Sequence, residues 1–188
     1  MRHNYFYAVK IPEVEKNQLH RFVAEKKHNY PFKNWVHPQD YHITLAFLGK
    51  IDEELLREAN NNVQNHLFQE KSFSLTIRRL GIFGSKHSPR VFWADVYPSS
   101  ELLAIRQSVY QACEQAGLVL DQRPFRPHIT LARRWTGDGP FTDQLKRQVQ
   151  LQNGTKISFS VEEIVLYESW PQAIPRYKEV ANFPLFMN

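Results

Sequence analysis

The chain has 188 residues, of which 42% are hydrophobic and 23% charged, as in an ordinary soluble globular protein. No stretch approaches the roughly 20 apolar residues needed to span a bilayer, and the single cysteine, Cys113, excludes an intramolecular disulfide. Lys and Arg number 24 against 19 Asp and Glu, a basic balance that suits a phosphate-bearing partner without requiring one.

The chain opens with a Tyr-, Phe- and Val-rich run over 4–11, too short and too polar for a signal peptide, which reads as a strand. With the lone cysteine, it places the protein in the cytoplasm by expectation. Pro12 suits the first turn of a helix, and Val14, Leu19, Phe22, Val23 and Lys26 keep helical spacing over 13–27. A loop with Pro31, Trp35 and Pro38 covers 28–39, and 41–48 reads as a second strand closed by Gly49.

Asp52 is placed to cap a helix whose apolar face is Leu56, Ala59, Val63 and Leu67. Phe73, Leu75 and Ile77 alternate with polar residues, a turn occupies 84–89, and 91–97 is again strand-like, so 73–97 predicts a hairpin. Ser99 or Ser100 caps a helix with Leu102, Ile105, Val109, Ala112, Cys113 and Ala116 on one face and Gly117 as its stop. A basic loop covers 121–127, a short strand 128–132 and a helix 141–150; 156–167 and 177–182 read as closing strands. The mixture of hairpins and crossovers is an α+β pattern in one domain over 1–188.

Residues 42–46 and 128–132 both read His-Ile-Thr-Leu-Ala. An exact five-residue repeat has chance odds of roughly one in a few hundred in a chain of this length, which argues for internal duplication. On a strand, His42 and Thr44 share one face while Ile43 and Leu45 point into the core; His128 and Thr130 share a face in the same way, with Ile129 and Leu131 inward. Two such pairs facing across a groove suit an in-line displacement at phosphorus. One imidazole activates water, the other protonates the leaving oxygen, and the hydroxyls hold the non-bridging oxygens.

The blocks 42–49 (His-Ile-Thr-Leu-Ala-Phe-Leu-Gly) and 125–133 (Phe-Arg-Pro-His-Ile-Thr-Leu-Ala-Arg), with the opening strand and Pro12, resemble the 2H phosphoesterase superfamily. Within it they are most similar to the bacterial and archaeal RNA 2',3'-cyclic phosphodiesterases, historically called 2'-5' RNA ligases. The resemblance implies a bilobal α+β fold, with two pseudo-symmetric antiparallel-sheet lobes and outer helices around a central groove. It implies hydrolysis of RNA 2',3'-cyclic phosphate ends to 2'-phosphates; the expected mechanism uses no metal or other cofactor, and a monomer is expected. It further implies His42 as proton donor to the leaving O3', His128 as the base, and Arg133 as a phosphate contact. Tyr41 stands where relatives often carry Leu. Three other functions remain open: 2'-5' joining of RNA ends, hydrolysis of small cyclic nucleotides, and non-catalytic binding of RNA ends.

Arg126 and Arg134 flank the second motif and are candidates for phosphate or ribose contact, and Arg78, Arg79 and Arg90 for a basic rim. Phe47 and Phe125 are candidates for stacking a base, against a plainer reading as core. His3, His20, His28, His37, His66 and His87 lack metal-ligand spacing and read as surface or loop positions. Cys113 reads as a buried small hydrophobe.

Overall fold

Hydrophobic alternation builds most of this protein into antiparallel strands. The computed structural model describes residues 3–25, 27–141 and 154–186. In chain order these form β1 (Asn4–Lys10), α1 (Glu13–Ala24), β2 (Phe32–Trp35), β3 (His42–Gly49), α2 (Glu53–Leu67), β4 (Phe73–Gly84), β5 (Pro89–Val96), α3 (Ser100–Gln115), β6 (His128–Trp135), β7 (Ser158–Val161), β8 (Glu163–Ser169) and β9 (Tyr177–Pro184).

The strands run β7-β4-β5-β6-β3-β1-β8-β9, with β2 also paired to β6, and the pairings between named strands are antiparallel. The ladder is thin at its middle. β3 meets β6 in register only at Ile43–Ile129, whereas β1 pairs with β3 and β5 with β6 along most of their lengths. The sheet therefore divides into two halves joined at this one pair, which is the bilobal arrangement that the family resemblance implies. Beyond Ile129, the same edge of β6 is taken up by β2, with Phe32 opposite Trp135 and Trp35 opposite Ala132.

Helix ends follow the capping chemistry of the sequence. The Asp52 carboxylate accepts from the Leu55 amide at 2.9 Å, and the Ser99 hydroxyl from the Leu102 amide at 3.0 Å. Gly117, at φ +90°, ends α3 with amide bonds from Gly117 to Glu114 O and from Leu118 to Cys113 O. The anticipated faces of α2 and α3 are buried, except that Leu56 is only partly so. The two helices pack on each other.

Three expectations change. Helix α1 stops at Ala24, and Val14 faces solvent at 62% exposure; Lys26 lies outside the described residues. The loop expected over 28–39 contains β2, a strand too short to carry a period and fixed instead by its ladder with β6. The run 156–167 is two strands with different partners, β7 on β4 and β8 between β1 and β9. The helix expected over 141–150 falls, after Phe141, outside the described residues. Among the described residues no helix is long and apolar enough to cross a membrane.

In the β4–β5 hairpin, Gly81 pairs with Trp93, whose indole lies flat across the glycine: a Cβ there would stand 2.2 Å from the ring. Glycine leaves the room and the ring covers its bare backbone, as aromatics do across a sheet. Gly81→Ala is expected to cost about 1–3 kcal/mol, the usual penalty for overpacking. Urea denaturation checks this; an unchanged midpoint would show that Trp93 moves aside freely.

Candidate active site

The two His-x-Thr motifs open β3 and β6, and the Ile43–Ile129 pair sets them side by side. Because the strands are antiparallel, one step forward from Ile43 is one step back from Ile129. Each histidine thus stands beside the other motif's threonine, with both isoleucines fully buried beneath.

Strict alternation does not continue past the motifs. Between Tyr7 and Ala8 the register of β1 on β3 skips Leu45, and between Phe92 and Trp93 that of β5 on β6 skips Leu131. These are β-bulges at equivalent places in the repeat. Leu45 with Ala46, and Leu131 with Ala132, are consecutive inward residues in each strand. The extra residue reverses the phase, so Phe47 and Arg133 turn onto the face that carries the histidines and threonines. All six side chains, His42, Thr44, Phe47, His128, Thr130 and Arg133, line one cavity of about 440 Å³.

Each imidazole is fixed by the same device. His42 Nδ1 donates to the carbonyl of Asp40 at 2.7 Å, and His128 Nδ1 to the carbonyl of Arg126 at 2.7 Å, in both cases two residues upstream. A carbonyl only accepts, so Nδ1 carries the proton, and Nε2 is the basic nitrogen of each neutral ring. His42 Nε2 lies 3.1 Å from Thr44 Oγ1, which donates to it while the ring is neutral. Aromatic rings brace both: Phe6 and Tyr177 lie 4.8 and 5.1 Å from His42 between centroids, and Phe83 stands edge-on to His128 at 4.8 Å.

Burial pushes His42 down to about 4, a drop only partly offset by its bond to Asp40 and deepened by His128 when that ring is protonated and by the charges of Lys16 and Arg133. His128 is also lowered, by burial first and by Arg133, against the effect of its bond to Arg126. Each ring is consequently held neutral near pH 7.

The structure adds residues for which the sequence offers no period or motif. Asp40 is 5% exposed, and its carboxylate accepts from the backbone amides of Arg176 and Tyr177 at 2.9–3.1 Å. It thereby clamps the β8–β9 connection over His42 and brings Arg176 and Tyr177 to the cavity wall, where His37 and Trp35 also lie. Lys16, buried on α1, donates to Gln39 O at 3.0 Å and supports the same turn. The place of Asp40, two residues before the first motif, is the one available signal.

Other expectations resolve individually. Phe47, with core as its plainer reading, is 56% exposed in the cavity. Phe125 is partly buried and packs against the core. Arg126 supplies its carbonyl to His128 and lines a second cavity that His128 also borders. Arg78 and Arg79 both bind Asp95, and Arg134 adopts φ +65° immediately after Arg133. Cys113 is buried, which pushes its thiol up to about 12. Among the described residues no group of three or more His, Cys, Asp or Glu is placed to hold a metal ion.

Two half-sheets with a His-x-Thr strand from each facing one cavity define a 2H phosphoesterase fold. The sequence matches the 2'-5' RNA ligase superfamily over residues 12–169, and the chain belongs to that family. It is 39% identical over 184 residues to an RNA 2',3'-cyclic phosphodiesterase of Geobacillus stearothermophilus, covering 98% of this chain but 58% of that protein. It is 33% identical to one of Bacillus subtilis, covering 98% of both. The fold superposes on E. coli LigT, solved with 3'-AMP, with a TM-score of 0.80 at 23% identity, over 98% of this chain and 99% of that one. A Thermus thermophilus protein gives a TM-score of 0.75 at 28% identity, over 97% of each chain.

The Asp40 clamp makes a direct prediction. Asp40→Asn presents an NH₂ group to amides that now donate to a carboxylate. It is expected to cost about 1–3 kcal/mol, the range for a hydrogen-bonded buried group losing its partners. Thermal denaturation and faster hydrogen exchange at the Arg176 and Tyr177 amides would record it; unchanged exchange at both would mean the turn is held by other contacts.

Proposed function

We propose that this protein hydrolyses RNA 2',3'-cyclic phosphate ends to 2'-phosphates by general acid–base catalysis between His42 and His128, without a metal ion. The observation that carries the reading is the pair of imidazoles in one cavity, each with Nδ1 tied to a backbone carbonyl and Nε2 left as the working nitrogen. The names of the relatives in Geobacillus and Bacillus support the same reaction.

In this reading the phosphorus sits between the two rings. One Nε2 takes a proton from water as its oxygen bonds to phosphorus. The P–O3' bond breaks on the opposite side, and the other imidazolium delivers its proton to O3'. Thr44 and Thr130 donate to the non-bridging oxygens and hold the in-line geometry. Arg133, with Arg176 at the same wall, faces the single negative charge of the diester. Phe47 offers the exposed ring on which a base stacks. The family resemblance gives His42 the acid role. Burial lowers both rings, so either can stand neutral as the base, and the pH profiles of the variants assign the roles.

A short RNA ending in a 2',3'-cyclic phosphate, incubated with the protein in EDTA, is expected to yield the 2'-phosphate. His42→Ala and His128→Ala are each expected to lose about 10²–10⁴-fold in rate, the usual worth of a general acid or base. Activity retained in either variant, or abolished by EDTA, would overturn the mechanism.

The base must be neutral, so its contribution is lost as pH falls through its pKa. The acid must be protonated, so its contribution is lost as pH rises through its own. Both values are lowered in the free protein, His42 to about 4, so kcat/KM is expected to peak below 6.5, the ordinary histidine value. The bound phosphodiester anion raises both values, which moves the kcat profile to higher pH. A kcat/KM maximum above pH 7 would contradict these electrostatics. The variant whose residual activity loses the alkaline limb identifies the acid.

A further inference from the structure

A second cavity, of about 400 Å³, lies behind the catalytic one, and His128 is a wall of both. Its volume is that of a small-ligand site. One side is apolar: Phe83, Trp93 and Phe125, with Leu103 of α3 standing 54% exposed. Phe83 is the ring that stands edge-on to His128, so the apolar surface begins at the catalytic imidazole itself. Phe125 is backed by the Arg106 guanidinium, 5.5 Å from its centroid.

The other side is cationic. Asp95 is the one carboxylate among the lining residues, and it is already bound by both Arg78 and Arg79. Two guanidinium groups against one carboxylate leave a net positive charge, and Arg126 adds another at the mouth. Aromatic and aliphatic side chains together with guanidinium groups in one cavity are the combination that takes a base and a phosphodiester.

The two ends of the catalytic cavity differ in a way that gives the cleft a direction. At the His42 end, Phe6, Tyr167 and Tyr177 pack around the imidazole within 4.8–5.7 Å. At the His128 end, Phe83 meets the ring and also lines the second cavity. A strand whose terminal phosphorus lies between the imidazoles thus meets a second lined cavity beside His128.

We propose that this cleft is a subsite for the nucleotide immediately 5' of the cyclic-phosphate end, and that it makes the enzyme prefer RNA to a mononucleoside cyclic phosphate. The inference rests on reading the larger cavity as the cyclic phosphodiester site. The base lies against Phe125 and Leu103, and the connecting phosphodiester faces Arg78 and Arg126.

The test compares kcat/KM for adenosine 2',3'-cyclic phosphate with that for the dinucleotide ApA ending in the same group. Leu103 reaches no part of the catalytic cavity, so Leu103→Glu sets a negative charge in the cleft alone. The wild type is expected to prefer the dinucleotide by about tenfold or more, as stacking of one base allows. Leu103→Glu is expected to remove that preference while leaving the mononucleotide rate within about twofold. Leu103→Ser, which deletes the apolar contact without adding charge, is expected to give a smaller loss in the same direction. Equal rates on the two substrates in the wild type overturn the subsite. So does an unchanged preference in both variants, or an effect confined to the yield of RNA joined to a 5'-hydroxyl oligonucleotide, which would make the cleft an acceptor site. Failure of the wild type on both substrates would instead sink the catalytic reading, and the subsite with it.

Discussion

The site depends on one extra residue in each central strand. Without the bulges at Leu45 and Leu131, period-two alternation would put Ala46 and Ala132 beside the histidines and send Phe47 and Arg133 to the opposite face. The bulge lets a strand present three outward side chains at positions one, three and six of the motif instead of one, three and five. The sixth position is where the two halves differ, Phe in one and Arg in the other. The device recurs at the same offset in both strands. The duplication visible in five residues of sequence therefore extends to a backbone irregularity, which is harder to acquire twice than a motif.

Tethering each Nδ1 to a carbonyl two residues upstream has a mechanistic consequence. The tautomer is set by the fold before any ligand arrives, and both working nitrogens are Nε2 atoms on one wall. Burial then keeps the rings neutral, and a second imidazole and Arg133 nearby reinforce this at His42. A positive site that suppresses its own protonation is matched to an anion that reverses the effect on arrival. In the proposed reaction the diester supplies the charge that lets one ring hold the proton it donates. Asp40 joins these two tasks, since its carbonyl orients His42 while its carboxylate holds the turn that brings Arg176 and Tyr177 to the cavity.

What could be read in advance follows from which forces are local. Alternation, helix caps and glycine stops placed the β4–β5 hairpin, α2 and α3 well, because Asp52, Ser99 and Gly117 act on their own neighbours. The motif repeat located His42, Thr44, His128 and Thr130, and the cavity brings them together. β2 escaped because four residues carry too little pattern, and its pairing comes from β6, nearly a hundred residues away. Phe47 stood as a stacking candidate with core as its plainer reading, and only the register of β1 on β3 reveals the bulge that turns it to the cavity. Arg176 and Tyr177 lie in no motif at all; they reach the site through Asp40, 136 residues distant in the case of Arg176.

The symmetry of the scaffold and the asymmetry of the proposed substrate pull in different directions. A cyclic phosphate at an RNA end has a ribose on one side of phosphorus and only water on the other, so two identical half-sites would treat attack and departure alike. The halves depart from identity where such a substrate requires it. Phe47 opposes Arg133 at the same motif position, giving one half an apolar ring and the other a fixed cation. His42 is enclosed by three rings, while His128 is touched edge-on by Phe83 and borders a second cavity. The proposed displacement uses the duplication, because one imidazole takes a proton and the other gives one. Direction comes from the residues around the pair, where the two copies have been free to differ.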